Sequence, residues 1–411
     1  MDFAFDQQTE DLRGRLLDFM DSHVYPAEPA FAEIAQDGAA GEGWDPPAVL
    51  EDLKAEARRR GLWNLFYPEA AAGGGLPLLT YASLAEITGR SPMVAPEALN
   101  CSAPDTGNME LLHLFATPEQ RQQWLEPLLA GEIRSAYCMT EPDVASSDAS
   151  NLETRIRRDG DDYVIDGRKW WSTGVMAQSC QLLVVVGATD PDAPPRERQS
   201  VVLVPRDTPG VTIRRGLSVL GFRDRSHGGH GEVVFDRVRV PATNLLGGEG
   251  QGGAMAQARL GPGRIHHCMR LVGMAERAFD LMCERALRRT TFGRPLAERD
   301  TVQATIAEAR IRIDSARLLV LRAAWLIDQF GARQARTEIS AVKIAVPAMT
   351  AWVVDHAMQV HGAGGLSQDY PLAMLYAQAR GLRLADGPDE VHEMVLARRE
   401  LARYRPSEGP S

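Results

Sequence analysis

HGEVVFDRVRVPATNLLGGEGQGG, residues 230–253, opens as a strand and closes on a run of glycines. Its first half is rich in β-branched residues at a period of two, the signature of a strand with one buried face. The same pattern recurs between Ser135 and Leu246 in DYVIDG, QLLVVVGAT, SVVLVPRD and GVTIRR, with Gly, Pro and Asp between the runs. Short strands at close intervals with no helical pattern between them predict a small antiparallel barrel or sandwich. The Pro/Arg-rich DPDAPPRERQ, residues 190–199, reads as an exposed turn.

Beyond the glycines the period becomes helical, roughly over 262–288, 300–330, 335–362, 371–383 and 388–404. Five long amphipathic helices with short loops predict a bundle of antiparallel neighbours. On the N-terminal side Leu12, Leu16, Phe19 and Met20 share one helical stripe. Thr117-Pro118-Glu119-Gln120 places an N-cap, a Pro at N1 and a Gln at N3 ahead of Trp124, Leu125 and Leu128. The expectation is an α+β multidomain chain: an N-terminal helical domain over 1–133, a β-barrel domain over 134–247 and a C-terminal helical bundle over 248–411.

Gly248 to Gly253 match GxGxxG, but a dinucleotide site needs that pattern directly after a strand and inside a βαβ unit. Here Pro241-Ala242-Thr243-Asn244 precede it and no parallel strand follows, so a flexible interdomain hinge is the favoured reading. His227/His230 and His266/His267 suggest a metal. HGGH lacks a third ligand, and adjacent helix residues point apart, so these read as loop or surface histidines and no metal is expected. The five cysteines are scattered and lack any CxxC spacing, which favours reduced packing residues. A net charge of −10 with no dense Lys/Arg run argues against nucleic acid. The first residues, MDFAFDQQTEDLRGRLLDFM, lack a basic and apolar leader, and runs such as LLVVVGA are too short to span a bilayer; no membrane partner and a cytoplasmic location are expected.

Tyr137-Cys138-Met139-Thr140-Glu141-Pro142 is followed by Ser146-Ser147-Asp148 and then by Trp170-Trp171-Ser172-Thr173-Gly174. Hydroxyls and backbone N–H groups in turns beside an indole suit an uncharged planar heteroaromatic ring. Two buried tryptophans with turn serines are equally a plain barrel core.

YCMTEP, KWWSTG, FDRVRVP, RRTTFG with Pro295 and Leu296 following, QVHGAGG and DGPDEVH…LAR occur in the order found in the acyl-CoA dehydrogenase family, and the likeness spans nearly the whole chain. The resemblance implies FAD held between barrel and bundle and removal of hydrogens from Cα and Cβ of an acyl-CoA thioester. It places Tyr137, Met139, Thr140 and Ser147 along the flavin, with Trp171 and Thr173 beside its ring system. Ser147 also falls near the pantetheine arm of the substrate, with Ser146 the alternative one position earlier. Arg289, Phe292 and the segment Gln359, Val360, His361, Gly362 and Ala363 match regions that reach the FAD of a neighbouring subunit, which implies a homodimer or homotetramer. Pro388 and Glu390 are implied on the cofactor side, and Arg264 and Gly387 on the substrate side.

RLADGPDEV, residues 383–391, interrupts helix with an acidic turn. Gly387 as N-cap, Pro388 as N1 and Asp389 and Glu390 in the first turn account for all of it except Asp386. The resemblance places the catalytic base at Asp386, where most of the family carries Glu. A thioester α-proton is weakly acidic, so a carboxylate base is wanted in a dry pocket, and the carbonyl oxygen needs donors as enolate charge develops. Asp reaches roughly 1.5 Å less than Glu. The DGPDEVH variant resembles large members of the family that take long-chain or 4-hydroxyacyl thioesters. The expected activity is α,β-dehydrogenation to a trans-2-enoyl-CoA, with electrons passed to an electron-transfer flavoprotein. The rivals are an acyl-CoA oxidase or flavin monooxygenase of the same fold, and a flavin-free binding or assembly module.

Overall fold

The computed structural model describes residues 4–35 and 43–405. The first third is helical: α1 (Gln7–Phe19), a π-helical turn, α2 (Tyr25–Ala35), α3 (Val49–Arg59), α4 (Leu78–Gly89), α5 (Ala95–Ala98), α6 (Asp105–Phe115), α7 (Pro118–Gln120) and α8 (Glu126–Ala130). The middle carries β1 (Arg134–Cys138), β2 (Arg155–Asp159), β3 (Asp162–Thr173), β4 (Cys180–Ala188), β5 (Gln199–Pro205), β6 (Val211–Leu217), β7 (His230–Pro241) and β8 (Leu245–Leu246). The last third is α9 (Gly252–Arg288), a hairpin of β9 (Thr290–Thr291) and β10 (Arg294–Pro295), α10 (Asp300–Phe330), α11 (Arg336–His361), α12 (Leu372–Gly381) and α13 (Asp389–Ala402). The capping box expected at Thr117 is present, with Gln120 N–H donating to the Thr117 hydroxyl at 3.2 Å and Thr117 N–H to Gln120 at 3.1 Å.

The chain divides into two compact units. One unit is Glu10–Leu76 with Ser91–Gly263, so most of the N-terminal helices belong with the sheet. The other takes the residues up to Thr9, Pro77–Arg90 and everything from Arg264 on. Two expectations are thereby corrected. The helix expected from about 262 begins earlier, at Gly252, so that Gly261-Pro262-Gly263 lies within α9. The GGEGQGG run is not a flexible hinge: Gly250 N–H donates to the Ser200 hydroxyl at 2.9 Å and the Tyr163 hydroxyl donates to Glu249, fixing the run to the sheet unit.

In the sheet unit the strand order is β6-β7-β3-β2-β4-β5-β8, with β1 also on β4. Most pairs are antiparallel as the period predicts, but β1 and β2 run parallel to β4, so the sheet is mixed. Ile156, Tyr163, Ile165, Leu183, Val185, Val202, Val204, Val233 and Phe235 form its core. In the bundle unit α11 packs on α10, α12 and α13 and buries Val342, Val346, Val353 and Val354. Its stretch 336–366 is long and apolar enough to cross a membrane, contrary to the expectation that no run was; 56% of its most apolar window is buried in the bundle, which accounts for that composition. Helix α4 joins this unit closely. A Cβ on Gly89 would stand 2.1 Å from the Arg270 carbonyl oxygen, and one on Gly273 1.9 Å from that of Glu86, so both positions exclude any side chain. Arg317 binds Glu86 at 2.8 Å across the same seam.

Candidate active site

The sheet unit assembles one group of residues. Lys169 and Glu141 are buried as an ion pair at 2.7 Å. Lys169 also donates to the Met139 carbonyl at 2.8 Å, and Glu141 accepts the N–H groups of Glu153 at 2.7 Å and Thr154 at 2.9 Å. Burial pushes the Glu141 carboxyl up, and the Lys169 charge more than offsets this and holds it below the usual range. The end of β1 and the loop after it are thus tied to β3 through the backbone of Met139 and Glu141. Thr140 is exposed, and its carbonyl accepts from Trp170 N–H at 3.0 Å.

At Trp170 and Trp171 the register of β3 against β7 slips between Lys169 and Ser172, and Trp171 takes a left-handed φ of 52°. Such a bulge re-aims a side chain. Trp171 is 39% exposed, which removes the alternative of two buried tryptophans in a plain barrel core. Trp170 is half-buried, and among the described residues its indole N–H has no acceptor. Thr173 is half-buried, with its hydroxyl 2.9 Å from His230 Nδ1, and the His230 ring lies 5.4 Å from that of Trp171. Asp224 stands 2.7 Å from His227 Nδ1 and 3.4 Å from His230 Nε2. These histidines are largely buried ion-pair partners of Asp224 rather than surface groups. No cluster able to hold a metal occurs among the described residues.

Ser146 and Ser147 are distinguished here. The Ser146 hydroxyl accepts Glu141 N–H at 2.8 Å and contacts the carbonyls of Glu141 and Val144, each at 3.3 Å, which closes the loop on itself. Ser147 is exposed. Tyr137 is half-buried beneath the Arg259 guanidinium, 4.0 Å from the ring centre.

The bundle unit assembles two further groups. Arg289, Gln359, Val360, His361, Gly362 and Ala363, distant in sequence, line one cavity of about 340 Å³ together with Arg285. Gly362 ends α11 at a φ of 63°, which turns the chain into that cavity. His361 is buried against Tyr370, its Nδ1 is 2.8 Å from the Ala357 carbonyl oxygen, and burial lowers its pKa. Phe292 stands apart from this lining: it tips the β9–β10 hairpin at a φ of 48° and is 96% exposed.

The other group surrounds Asp386, which is half-buried in left-handed backbone at a φ of 56°, followed by Gly387 at 102°. The carbonyl oxygen of Asp386 accepts from Arg264 Nε at 3.1 Å and lies 3.2 Å from His392 Nε2. Lys343 Nζ donates to the Leu382 carbonyl at 2.5 Å and reaches that of Gly387 at 3.4 Å. The Asp386 carboxylate lies 3.5 Å from His267 Nε2. Burial, reinforced by the charge of Arg264, lowers the His392 pKa to about 4. The N-cap of α13 is Pro388 rather than Gly387, which moves the expected cap by one residue; Asp389 and Glu390 do occupy the first turn. Asp389 is buried and bound by Arg383 at 2.7 Å, and Glu390 is exposed. His267 and His392 are neighbours of Asp386 that the sequence reading did not place there; it took His266 and His267 as surface groups, whereas His266 is buried and His267 half-buried against Asp386. The i, i+3 spacing of Arg264 and His267 on α9 was the available signal for His267.

Three family models match in the same order along the chain: the N-terminal domain of acyl-CoA dehydrogenase at 6–132, its middle domain at 136–238 and its C-terminal domain at 250–401. The chain belongs to the acyl-CoA dehydrogenase family. It is 56% identical over 405 residues to "Probable acyl-CoA dehydrogenase FadE2" of Mycobacterium tuberculosis, covering 98% of each. It is 52% identical over 385 residues to acyl-CoA dehydrogenase family member 11 of Homo sapiens, covering 93% of this chain but 49% of that protein, so it spans about half the length of that relative. A solved Mycobacterium abscessus chain assigned as an acyl-CoA dehydrogenase is 52% identical, with a TM-score of 0.95 and coverage of 98% and 100%. The acyl-CoA dehydrogenase of Geobacillus kaustophilus is 26% identical, with a TM-score of 0.83 and coverage of 97% and 100%.

Members of this family are FAD-dependent oxidoreductases, and the residues present fit that group. Trp171, turned outward by the bulge, offers an aromatic face, and the Trp170 N–H is a donor without an acceptor among the described residues. Arg285 and Arg289 supply two cations on one cavity wall, suited to a pyrophosphate.

Proposed function

We propose that this chain is an acyl-CoA dehydrogenase in activity as well as family, with Asp386 as the base that takes the α-proton of an acyl-CoA thioester to give the trans-2-enoyl product. The observation that carries the reading is the placement of the Asp386 carboxylate among Arg264, His267 and Lys343 while its own backbone is pinned by Arg264. Asp389, bound by Arg383, and Glu390, exposed, are poorer candidates. Bound FAD supplies the acceptor for the Cβ hydride.

Thr140, Ser147, Trp171 and Thr173 are read as the flavin contacts, with Met139 and Tyr137 shaping the strand end beneath them. Ser147 is preferred to Ser146 because the Ser146 hydroxyl is spent inside its own loop. Arg289 with Gln359, Val360, His361, Gly362 and Ala363 is read as the anion-holding cavity for the FAD of a second subunit, which makes the working form a dimer or tetramer. Phe292, outside the cavity lining, is kept as part of the same second-subunit contact because of its exposure. Pro388 and Glu390 are assigned to the cofactor side, Arg264 and Gly387 to the substrate side. Electrons leave to an electron-transfer flavoprotein; a structure of such a flavoprotein, from Acidaminococcus fermentans, is among the solved relatives, and its bearing here is this proposal. Oxygen consumption equal to substrate turnover would instead favour an oxidase. A colourless protein would favour the flavin-free alternative. The cytoplasmic location remains part of the proposal.

The experiment is anaerobic flavin bleaching by an acyl-CoA. Asp386→Asn is nearly isosteric and keeps the backbone N–H, so FAD and thioester binding persist while bleaching slows at least about 10²-fold. Bleaching at the parental rate places the base elsewhere. Assay over acyl-CoAs of graded length, with 4-hydroxy variants, defines the substrate.

A further inference from the structure

We propose that His267 is a positioning and proton-relay partner of Asp386, so that the base of this enzyme is a carboxylate–imidazole pair. The proposal rests on the reading of Asp386 as base. His267 Nε2 lies 3.5 Å from Asp386 Oδ2, with the two side chains 22% and 19% exposed. They arrive from different elements, His267 from α9 and Asp386 from the turn ahead of α13. A contact made across the tertiary structure at a half-buried site is worth more than a surface pair, because water screens it less.

The surroundings leave the pair distinct roles. Arg264 Nε donates to the Asp386 carbonyl, and Lys343 Nζ donates to the carbonyls of Leu382 and Gly387, so both hold the backbone of the acidic turn. Arg383 is engaged with Asp389. His392 Nε2 is near the Asp386 carbonyl and stays neutral down to about pH 4. His267 meets the carboxylate itself. The titratable and charged groups around the pair and the cations that hold its turn are Arg264, His266 and Cys268 on α9, Arg336 and Lys343 on α11, and Asp389 and His392 on α13. His266 is fully buried, and burial lowers its pKa well below the ordinary value, which leaves His267 as the imidazole of these two that meets the carboxylate.

This arrangement gives the short base a compensation. Asp carries one methylene fewer than Glu, and an imidazole beside its outer oxygen fixes the carboxylate in one rotamer. The proton path balances as follows. The α C–H bond breaks, its electron pair forming the Cα–Cβ double bond as hydride leaves Cβ for the flavin, and an O–H bond forms on Asp386. That O–H then breaks as His267 Nε2 takes the proton, restoring the carboxylate and leaving an imidazolium that discharges to water. The separation of 3.5 Å is one short closure from a hydrogen bond, as is common before substrate binds.

The test is the pH profile of anaerobic bleaching in the parent and in His267→Gln, which retains hydrogen bonding but cannot titrate. The parent slows as pH falls below the imidazole pKa, because an imidazolium beside Asp386 stabilises its carboxylate and makes it a weaker base toward the α-proton. His267→Gln lacks that limb and keeps its FAD. A second readout needs no substrate: in NMR of histidine-labelled protein, the resonance lost in His267→Gln or His267→Asn titrates at higher pH in the parent than in Asp386→Asn, since removing the carboxylate removes the charge that favours imidazolium. An unchanged pH profile in His267→Gln, or an unchanged His267 titration in Asp386→Asn, overturns the pairing. Parental bleaching in Asp386→Asn overturns instead the reading of Asp386 as base, so the two failures are distinguishable.

Discussion

Trp171 and Asp386 occupy the same sparsely populated backbone region, at φ of 52° and 56°, and are held there by different means. Left-handed backbone costs about 1–3 kcal/mol in a residue with a side chain, and it persists only where the surroundings over-determine it. For Trp171 the surroundings are a sheet: β3 pairs with β7 on both sides of the slip, and Lys169, two residues earlier, is anchored to Glu141. For Asp386 they are side chains, namely Arg264, Lys343 and His392 on the carbonyls of one short turn. A bulged ladder gives a fixed aromatic surface. A turn clasped by cations gives a carboxylate whose charge is controlled. The first suits the face of a ring that must be held still, and the second a group that must gain and lose a proton.

Each half of that comparison can be broken. The largest effect is expected at Lys169→Met, which leaves Glu141 buried without its partner and destabilises the sheet unit by about 3–5 kcal/mol; urea unfolding followed by tryptophan fluorescence reads it, and a loss under about 1 kcal/mol would show that the ladder alone holds the bulge. On the bundle side, His392 is kept neutral in the fold down to about pH 4 against an ordinary 6.5. Between those values the unfolded chain binds the proton and the folded chain does not, so stability falls as pH drops through that window, by on the order of 3 kcal/mol at most. His392→Gln flattens the dependence, and equal slopes in thermal melts of the two proteins at pH 4–6.5 would contradict it.

Asp386→Asn comes next, its slowing of at least about 10²-fold corresponding to about 2.7 kcal/mol in the barrier. Asp386→Glu sharpens the point: it restores a carboxylate of longer reach in a turn shaped for Asp, and partial activity is expected. Arg289→Ala removes one of two cations from the cavity wall and weakens FAD retention by about 1.5–3 kcal/mol, the worth of a charge-assisted hydrogen bond; flavin content after gel filtration measures it, and unchanged content removes Arg289 from the site. The smallest contrast separates two neighbours. Ser146→Ala opens its loop and costs about 1 kcal/mol in a melt, whereas Ser147→Ala leaves stability within about 0.5 kcal/mol. The reverse order would exchange their roles.

Periodicity made much of this legible. β3 to β7 lie where the alternating runs stand, and α10 to α13 within a few residues of the helical ones, because buried faces impose periods of two and 3.6 on any sequence that forms them. The Thr117 capping box was readable for the same reason: its partners are three residues apart. Short strands such as β2 and β8 escaped, since too few residues carry the pattern, and the parallel pairing of β1 on β4 is a matter of topology.

The sequence by itself determined the element order, the ordered motifs and the presence of one acidic residue that helix capping did not explain. Only the tertiary structure decided what surrounds that residue. His267 stands 119 positions before Asp386 in the chain, and nothing local to either announces the other. The same holds for Arg289 and Gln359 to Ala363, whose shared cavity exists only once α9 and α11 have ended side by side, and for the slip that turns Trp171 outward, which depends on the register of β3 against β7. Local interactions along a chain leave their mark in its spacing. Contacts between distant segments are set by which faces pack together, and that is fixed by burying a whole core at once.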